Sequence, residues 1–85
     1  ATVGSNCIIN TRAIVEHDSR VSDHCHISTG AILNGGTLIG TGSFVGSGSV
    51  IKEGVSVGAS SMVGMGLTLR HNLRDSSRYL GEAIS

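Results

Sequence analysis

Every sixth residue from Val3 to Leu69 is a branched aliphatic: Val3, Ile9, Val15, Val21, Ile27, Leu33, Ile39, Val45, Ile51, Val57, Val63 and Leu69. Ile, Leu and Val make up about a quarter of the chain, so an unbroken run of twelve is no chance alignment. A period of six fits neither the 3.6-residue turn of an α-helix nor the alternation of a simple strand. It is the repeat of a parallel β-helix in which three hexads close one triangular coil. Residues 3 to 74 hold twelve hexads, or four coils of eighteen. The fold predicted is therefore all-β, with a hexapeptide-repeat β-helix domain over 1–74.

The other hexad positions support this register. With the aliphatic as position 1, position 5 is mostly small, as in Cys7, Ala13, Ser19, Cys25, Ala31, Ser43, Ser49 and Ser61. A tight triangular interior requires that. Position 4 reads Asn6, Arg12, Asp18, His24, Gly30, Gly36, Gly42, Gly48, Gly54, Ser60, Gly66 and Asn72. Most of these are Gly, Asn, Asp or His, the residues that best tolerate φ > 0, so this column marks the corners.

Position 6 should face outward, yet two of its columns are apolar. One holds Ile8, His26, Phe44 and Met62; another holds Ile14, Ile32, Val50 and Thr68. The third, Arg20, Leu38, Ser56 and Arg74, is more polar. Exposed apolar surface of this extent marks an interface, and two oily faces suit a prism packed about a three-fold axis. A homotrimer is expected. After Leu73 the period fails. Asp75-Ser76-Ser77 offers helix N-cap chemistry, so 75–85 is expected to form a tail or a short capping helix over Arg78 to Ile84.

Composition excludes several classes. Lys+Arg and Asp+Glu balance at six each and aromatics are 2%, which argues against a nucleic-acid partner. No apolar run approaches a membrane span, and no basic-then-apolar signal region opens the chain, so the default compartment is the cytoplasm. Cys7 and Cys25 should stack on adjacent coils about 4.8 Å apart, within reach of a disulfide. Ser43 and Ser61 continue that column, and an interior slot of small side chains favours two reduced, buried thiols.

Chemistry concentrates in Glu16-His17-Asp18 and Asp23-His24-Cys25-His26. One coil beyond His17 stands Gly35, and Glu53 and His71 continue the column. A histidine beside a glycine N–H pairs a base with an oxyanion donor. Nothing in the repeat calls for glycine at Gly35, which suggests close approach by a ligand or a neighbouring chain. Blander readings stand beside these. Asp18 and His24 occupy the φ > 0 column, where turn chemistry alone would account for them. His26 replaces an apolar residue in an interface column, which favours a ligand or cross-subunit role. His71 reads as a solvated side chain.

The stretches Ile8-Ile9-Asn10-Thr11, Val15-Glu16-His17-Asp18 and Val21-Ser22-Asp23-His24-Cys25-His26-Ile27-Ser28 resemble the sugar acetyltransferases of the hexapeptide superfamily. The closest subgroup contains sialic acid O-acetyltransferases and N-acetyltransferases acting on UDP-4-amino sugars. The resemblance covers roughly residues 3 to 66. It implies a left-handed parallel β-helix of about four triangular coils, with acetyl-CoA as acyl donor. The acceptor would be an amine or hydroxyl of a sugar or sugar nucleotide. His17 would be the general base, oriented by Asp18, with Glu16 as the alternative partner. His26 would contact acetyl-CoA near its thioester, and the Gly35 N–H would bind the developing oxyanion. Pantetheine would meet the backbone at Ser47 and Met65, in a groove between prisms.

Members of that group usually carry an N-terminal α/β domain and a C-terminal run with a Gly-x-Pro signal. Neither has a counterpart here, so a fragment, a truncated relative or a minimal enzyme is expected. Two other classes remain. One is a zinc site like that of γ-class carbonic anhydrases, with His17, His24 and His26 as nitrogen ligands, although spacings of seven and two do not match that pattern. The other is a catalytically inactive trimeric β-helix scaffold.

Overall fold

The computed structural model of the chain describes residues 1–81. Two-residue strands fall in turn onto three parallel sheets. The first sheet holds Thr2–Val3, Arg20–Val21, Leu38–Ile39 and Ser56–Val57. The second holds Ile8–Ile9, His26–Ile27, Phe44–Val45, Met62–Val63 and Arg78–Tyr79. The third holds Ile14–Val15, Ile32–Leu33, Val50–Ile51 and Thr68–Leu69. The result is a triangular parallel β-helix.

Each strand is short because the chain must turn a corner after every pair. Of the two residues, the second points inward, since successive side chains alternate across a strand. Ile27, Leu33, Val45, Ile51, Val63 and Leu69 are fully buried. Coils pair in a register of eighteen, as in Ile9 with Ile27 and Val21 with Ile39. The corners carry the positive φ that the sequence pattern anticipates, from Asn6 (55°) to Gly66 (65°).

Small polar side chains line the corners because each must satisfy a buried carbonyl. The Cys7 thiol donates to Ser22 O (3.0 Å) and the Cys25 thiol to Gly40 O (3.1 Å). Ser43 Oγ continues the column to Gly58 O (2.8 Å), and Ser61 Oγ to Arg74 O (2.9 Å). Both cysteines are free thiols, and burial pushes that of Cys25 above the ordinary value of 9.0. Asp23 is also structural, since its Oδ1 accepts from the Ser5 N–H at 2.7 Å. Asp75 does the same for Ala59 at 2.9 Å.

The last coil departs from the expected register. Leu73 bridges to Val57, and Arg78–Tyr79 pairs with Met62–Val63, both with a spacing of sixteen. Two residues are missing from the corner between Leu69 and Leu73, and beyond it the hexad resumes. Leu73 therefore takes position 1 rather than 5, Ser76 (φ 58°) is the corner residue stacked on Ser60, and Asn72 does not take the left-handed corner conformation. Asp75-Ser76-Ser77 is thus a β-helix corner, and Arg78–Tyr79 is a strand where a helix was expected. The rest of that expected helix, from residue 82, lies outside the described residues.

Tyr79 lies across the end of the stack. Its ring meets His71 edge-on (centroids 5.6 Å, 88°), and its hydroxyl donates to Thr68 O at 3.4 Å. At the opposite end of the described prism the inward residues Val3 and Ile9 are 44% and 38% exposed. Among the described residues no helix is long and apolar enough to cross a membrane.

Candidate active site

The eighteen-residue register places six residues in a grid at the corner between the third and first sheets. Glu16 and His17 form the lowest row, Asn34 and Gly35 the middle, and Lys52 and Glu53 the upper. They line an open depression of about 390 Å³. Its floor is low because Gly35 contributes no side chain. Two carboxylates, an imidazole and an ammonium surround that floor.

The His17 imidazole packs directly on Gly35. A Cβ added at Gly35 would stand 3.0 Å from both Cε1 and Nε2 of the ring. Within the chain, the side chain that approaches Gly35 is His17. The Gly35 N–H takes no part in the ladder between coils. The bonds at this corner run from Gly36 N–H to His17 O and from Gly54 N–H to Gly35 O, each 3.0 Å. An imidazole and the Gly35 backbone are thus held side by side.

Asp18 takes the left-handed corner conformation at φ 59° and is exposed. It is not among the side chains lining the depression, where Glu16 is the carboxylate next to His17 in sequence. Glu53, one coil above Gly35, joins the site, and only its column position could have flagged it. His24 is a corner residue at φ 60°, with its N–H donating to Ser5 O at 2.9 Å. His71 leaves the column above Glu53 because of the shortened corner and packs against Tyr79.

His26 stands elsewhere, on the outer face of the second sheet. That sheet lies opposite the corner that carries His17, so one prism does not bring the two histidines together. His26 is half-buried, tilted against Phe44 (centroids 5.0 Å, 60°). Its Nε2 is 3.0 Å from Nδ2 of Asn10. With the amide donating, Nε2 is the acceptor and the ring proton resides on Nδ1. Ser47 and Met65 stack at the corner between the second and third sheets, where the Gly66 N–H donates to Ser47 O at 2.8 Å. Glycines 46, 48, 64 and 66 flank them and leave the backbone bare, while the Met65 side chain is 76% exposed. Among the described residues, no group of three or more His, Cys, Asp or Glu is arranged to hold a metal ion.

A solenoid of hexads closed into triangular coils is a hexapeptide-repeat β-helix. Comparisons with known proteins agree. Residues 36–70 match the family model described as hexapeptide repeat of succinyl-transferase. The structure superimposes on perosamine N-acetyltransferase from Caulobacter crescentus, bound to CoA and GDP-perosamine, with a TM-score of 0.88 and 37% identity. The match covers 89% of this chain and 36% of that one. It also superimposes on the acetyltransferase domain of PglB from Neisseria gonorrhoeae FA1090, with a TM-score of 0.85 and 33% identity. Here 89% of this chain and 40% of that one are covered, and that domain also has a structure with acetyl coenzyme A. No curated protein matches the sequence. The repeat and the fold place the chain in the hexapeptide-repeat, left-handed β-helix acyltransferase superfamily. It spans well under half the length of these relatives.

Proposed function

We propose that this chain transfers an acetyl group from acetyl-CoA to an amine or hydroxyl of a sugar or sugar nucleotide. The observation that carries this reading is the His17 ring seated against Gly35 on the floor of the depression. His17 takes the proton from the acceptor as its nitrogen or oxygen attacks the thioester carbonyl. The carbonyl oxygen becomes an oxyanion held by the Gly35 N–H. Collapse of that adduct breaks the carbon–sulfur bond, and the CoA thiolate leaves and takes up the proton. Asp18 orients His17 from the corner, and Glu16 adds a second carboxylate beside it.

His26, with Nδ1–H as its outward donor, binds the acetyl-CoA near the thioester. Ser47 and Met65 offer bare backbone to the pantetheine amides. Because His26 and His17 lie on opposite sides of one prism, the reaction needs the His17 corner of one subunit against the second sheet of the next. A homotrimer supplies that arrangement, and the apolar outer columns of the second and third sheets support it. The relatives bound to CoA, acetyl-CoA and GDP-perosamine support the donor and the acceptor class. The cytoplasm is the compartment where such a donor is at hand.

Calorimetric titration of acetyl-CoA into the protein and into His26→Ala, with light scattering alongside, tests this reading. Micromolar binding to a trimer, weakened in the variant, supports it. A trimer that gives no heat at millimolar acetyl-CoA is the inactive scaffold instead.

A further inference from the structure

The shortened corner sets a particular side chain at the top of the second sheet. With an unbroken period of eighteen, Leu80 would follow Met62 in the outward column. With the observed spacing of sixteen, Arg78 pairs with Met62 and the column reads Ile8, His26, Phe44, Met62, Arg78. Above His26 this is an apolar pavement of two residues, then an exposed guanidinium.

That order matches the chemistry of one ligand. CoA carries a thioester sulfur, then an arm of amides and a dimethyl carbon, then a pyrophosphate. About thirteen bonds separate sulfur from the first phosphorus, or about 15 Å at the extension per bond of a stretched polypeptide. Arg78 lies three coils above His26, about 14 Å at the spacing of hydrogen-bonded strands. A sulfur held beside His26 would therefore bring the pyrophosphate level with Arg78. Phe44 and Met62 would lie beneath the arm, and the bare corner at Ser47 and Met65 would run alongside it.

We infer that Arg78 is a donor-binding residue that holds the pyrophosphate of CoA on the outer face of the second sheet. The inference rests on the acetyl-CoA reading above and adds to it an anchor at the far end of the groove. Guanidinium is suited to this task because its fork of N–H donors matches phosphate oxygens in pairs. Arg70 and Arg74 lie outside the strands, on either side of Leu73, so Arg78 is the arginine of the last coil that faces the groove from this sheet.

The test measures dissociation constants by calorimetry for three probes: CoA, dephospho-CoA and S-acetylpantetheine. The proteins are wild type, Arg78→Glu, Arg78→Gln and the charge-matched control Arg74→Glu. Arg78→Glu should weaken CoA and dephospho-CoA alike by about tenfold or more, as loss of a charge-assisted pair requires. S-acetylpantetheine, which lacks the pyrophosphate, should bind wild type and variant within about twofold of each other. Arg74→Glu should leave all three probes unchanged. Arg78→Gln gives the same comparison if the charge reversal does not fold. Equal CoA affinity in wild type and both Arg78 variants overturns the inference and leaves the acetyl-CoA reading standing. Weakening of CoA but not dephospho-CoA also overturns it, because the partner is then the 3′-phosphate. Binding of none of the probes by wild type removes the acetyl-CoA reading, and this inference with it.

Discussion

The ring of His17 rests on Gly35, so close that a Cβ at residue 35 would stand 3.0 Å from Nε2. Neither residue is required by the repeat, and the contact joins the side chain of one coil to the backbone of the next. Gly35 lies outside the left-handed conformations recorded for the corner glycines, so alanine is tolerated there by the backbone. The expected result of Gly35→Ala is an intact fold with a displaced imidazole. Turnover should fall by about a hundredfold, the scale of a misplaced catalytic group. Circular dichroism and steady-state kinetics on the same preparation check both halves.

Replacing His17 by alanine separates chemistry from binding. Loss of a general base costs about 10²- to 10⁴-fold in kcat. Acetyl-CoA affinity should stay within about twofold of wild type, because in the proposed trimer the donor is held chiefly by the second sheet of the neighbouring subunit. Equal loss of binding and turnover would assign His17 to the donor site.

Two carboxylates near the sequence's histidines, Asp18 and Asp23, are distinguishable. Asparagine suits the left-handed corner as well as aspartate does, so Asp18→Asn should keep the melting temperature while lowering kcat about tenfold. Alanine at Asp23 should do the reverse. It removes the bond to the Ser5 N–H, costs about 1 kcal/mol, and leaves kcat intact. Denaturant titration beside initial rates discriminates the two.

Cys25 gives a pH signature. Its folded thiol is pushed up by burial, while the unfolded thiol ionises near 9.0. The stability it confers is complete below that value and is lost as pH rises through the folded one. Cys25→Ser should preserve the bond to Gly40 O, as Ser43 does to Gly58 O, and flatten the decline of stability above pH 9. Thermal melts from pH 7 to 10.5 measure it, and alkylation of native Cys25 should be slow until the chain unfolds.

Much of the coil was legible in the chain because a period of six encodes geometry directly. Val3 to Leu69 mark the inward rungs, and the left-handed corners fall where Gly, Asn, Asp and His recur. The pairing of His17 with Gly35 follows from the same arithmetic. What the pattern could not show was the nature of the contact, since a spacing of eighteen says nothing of which way an imidazole turns. The last coil was misread for a different reason. Asp75-Ser76-Ser77 carries the same residue types whether it caps a helix or rounds a β-helix corner, and only the bridge of Leu73 to Val57 decides. Asp23 likewise looks like chemistry beside two histidines, yet its carboxylate closes a backbone gap.

The two residues absent between Leu69 and Leu73 show how this architecture absorbs change. A corner can contract without disturbing the rungs, because Leu73 and Tyr79 still reach the interior in sequence with Val57 and Val63. The outside is not conserved in the same way. Every residue downstream is reassigned by two places, and Arg78 rather than Leu80 crowns the second face. Insertions and deletions in such a solenoid thus act as selectors of surface chemistry. They exchange an oily summit for a cationic one while the core stays the same.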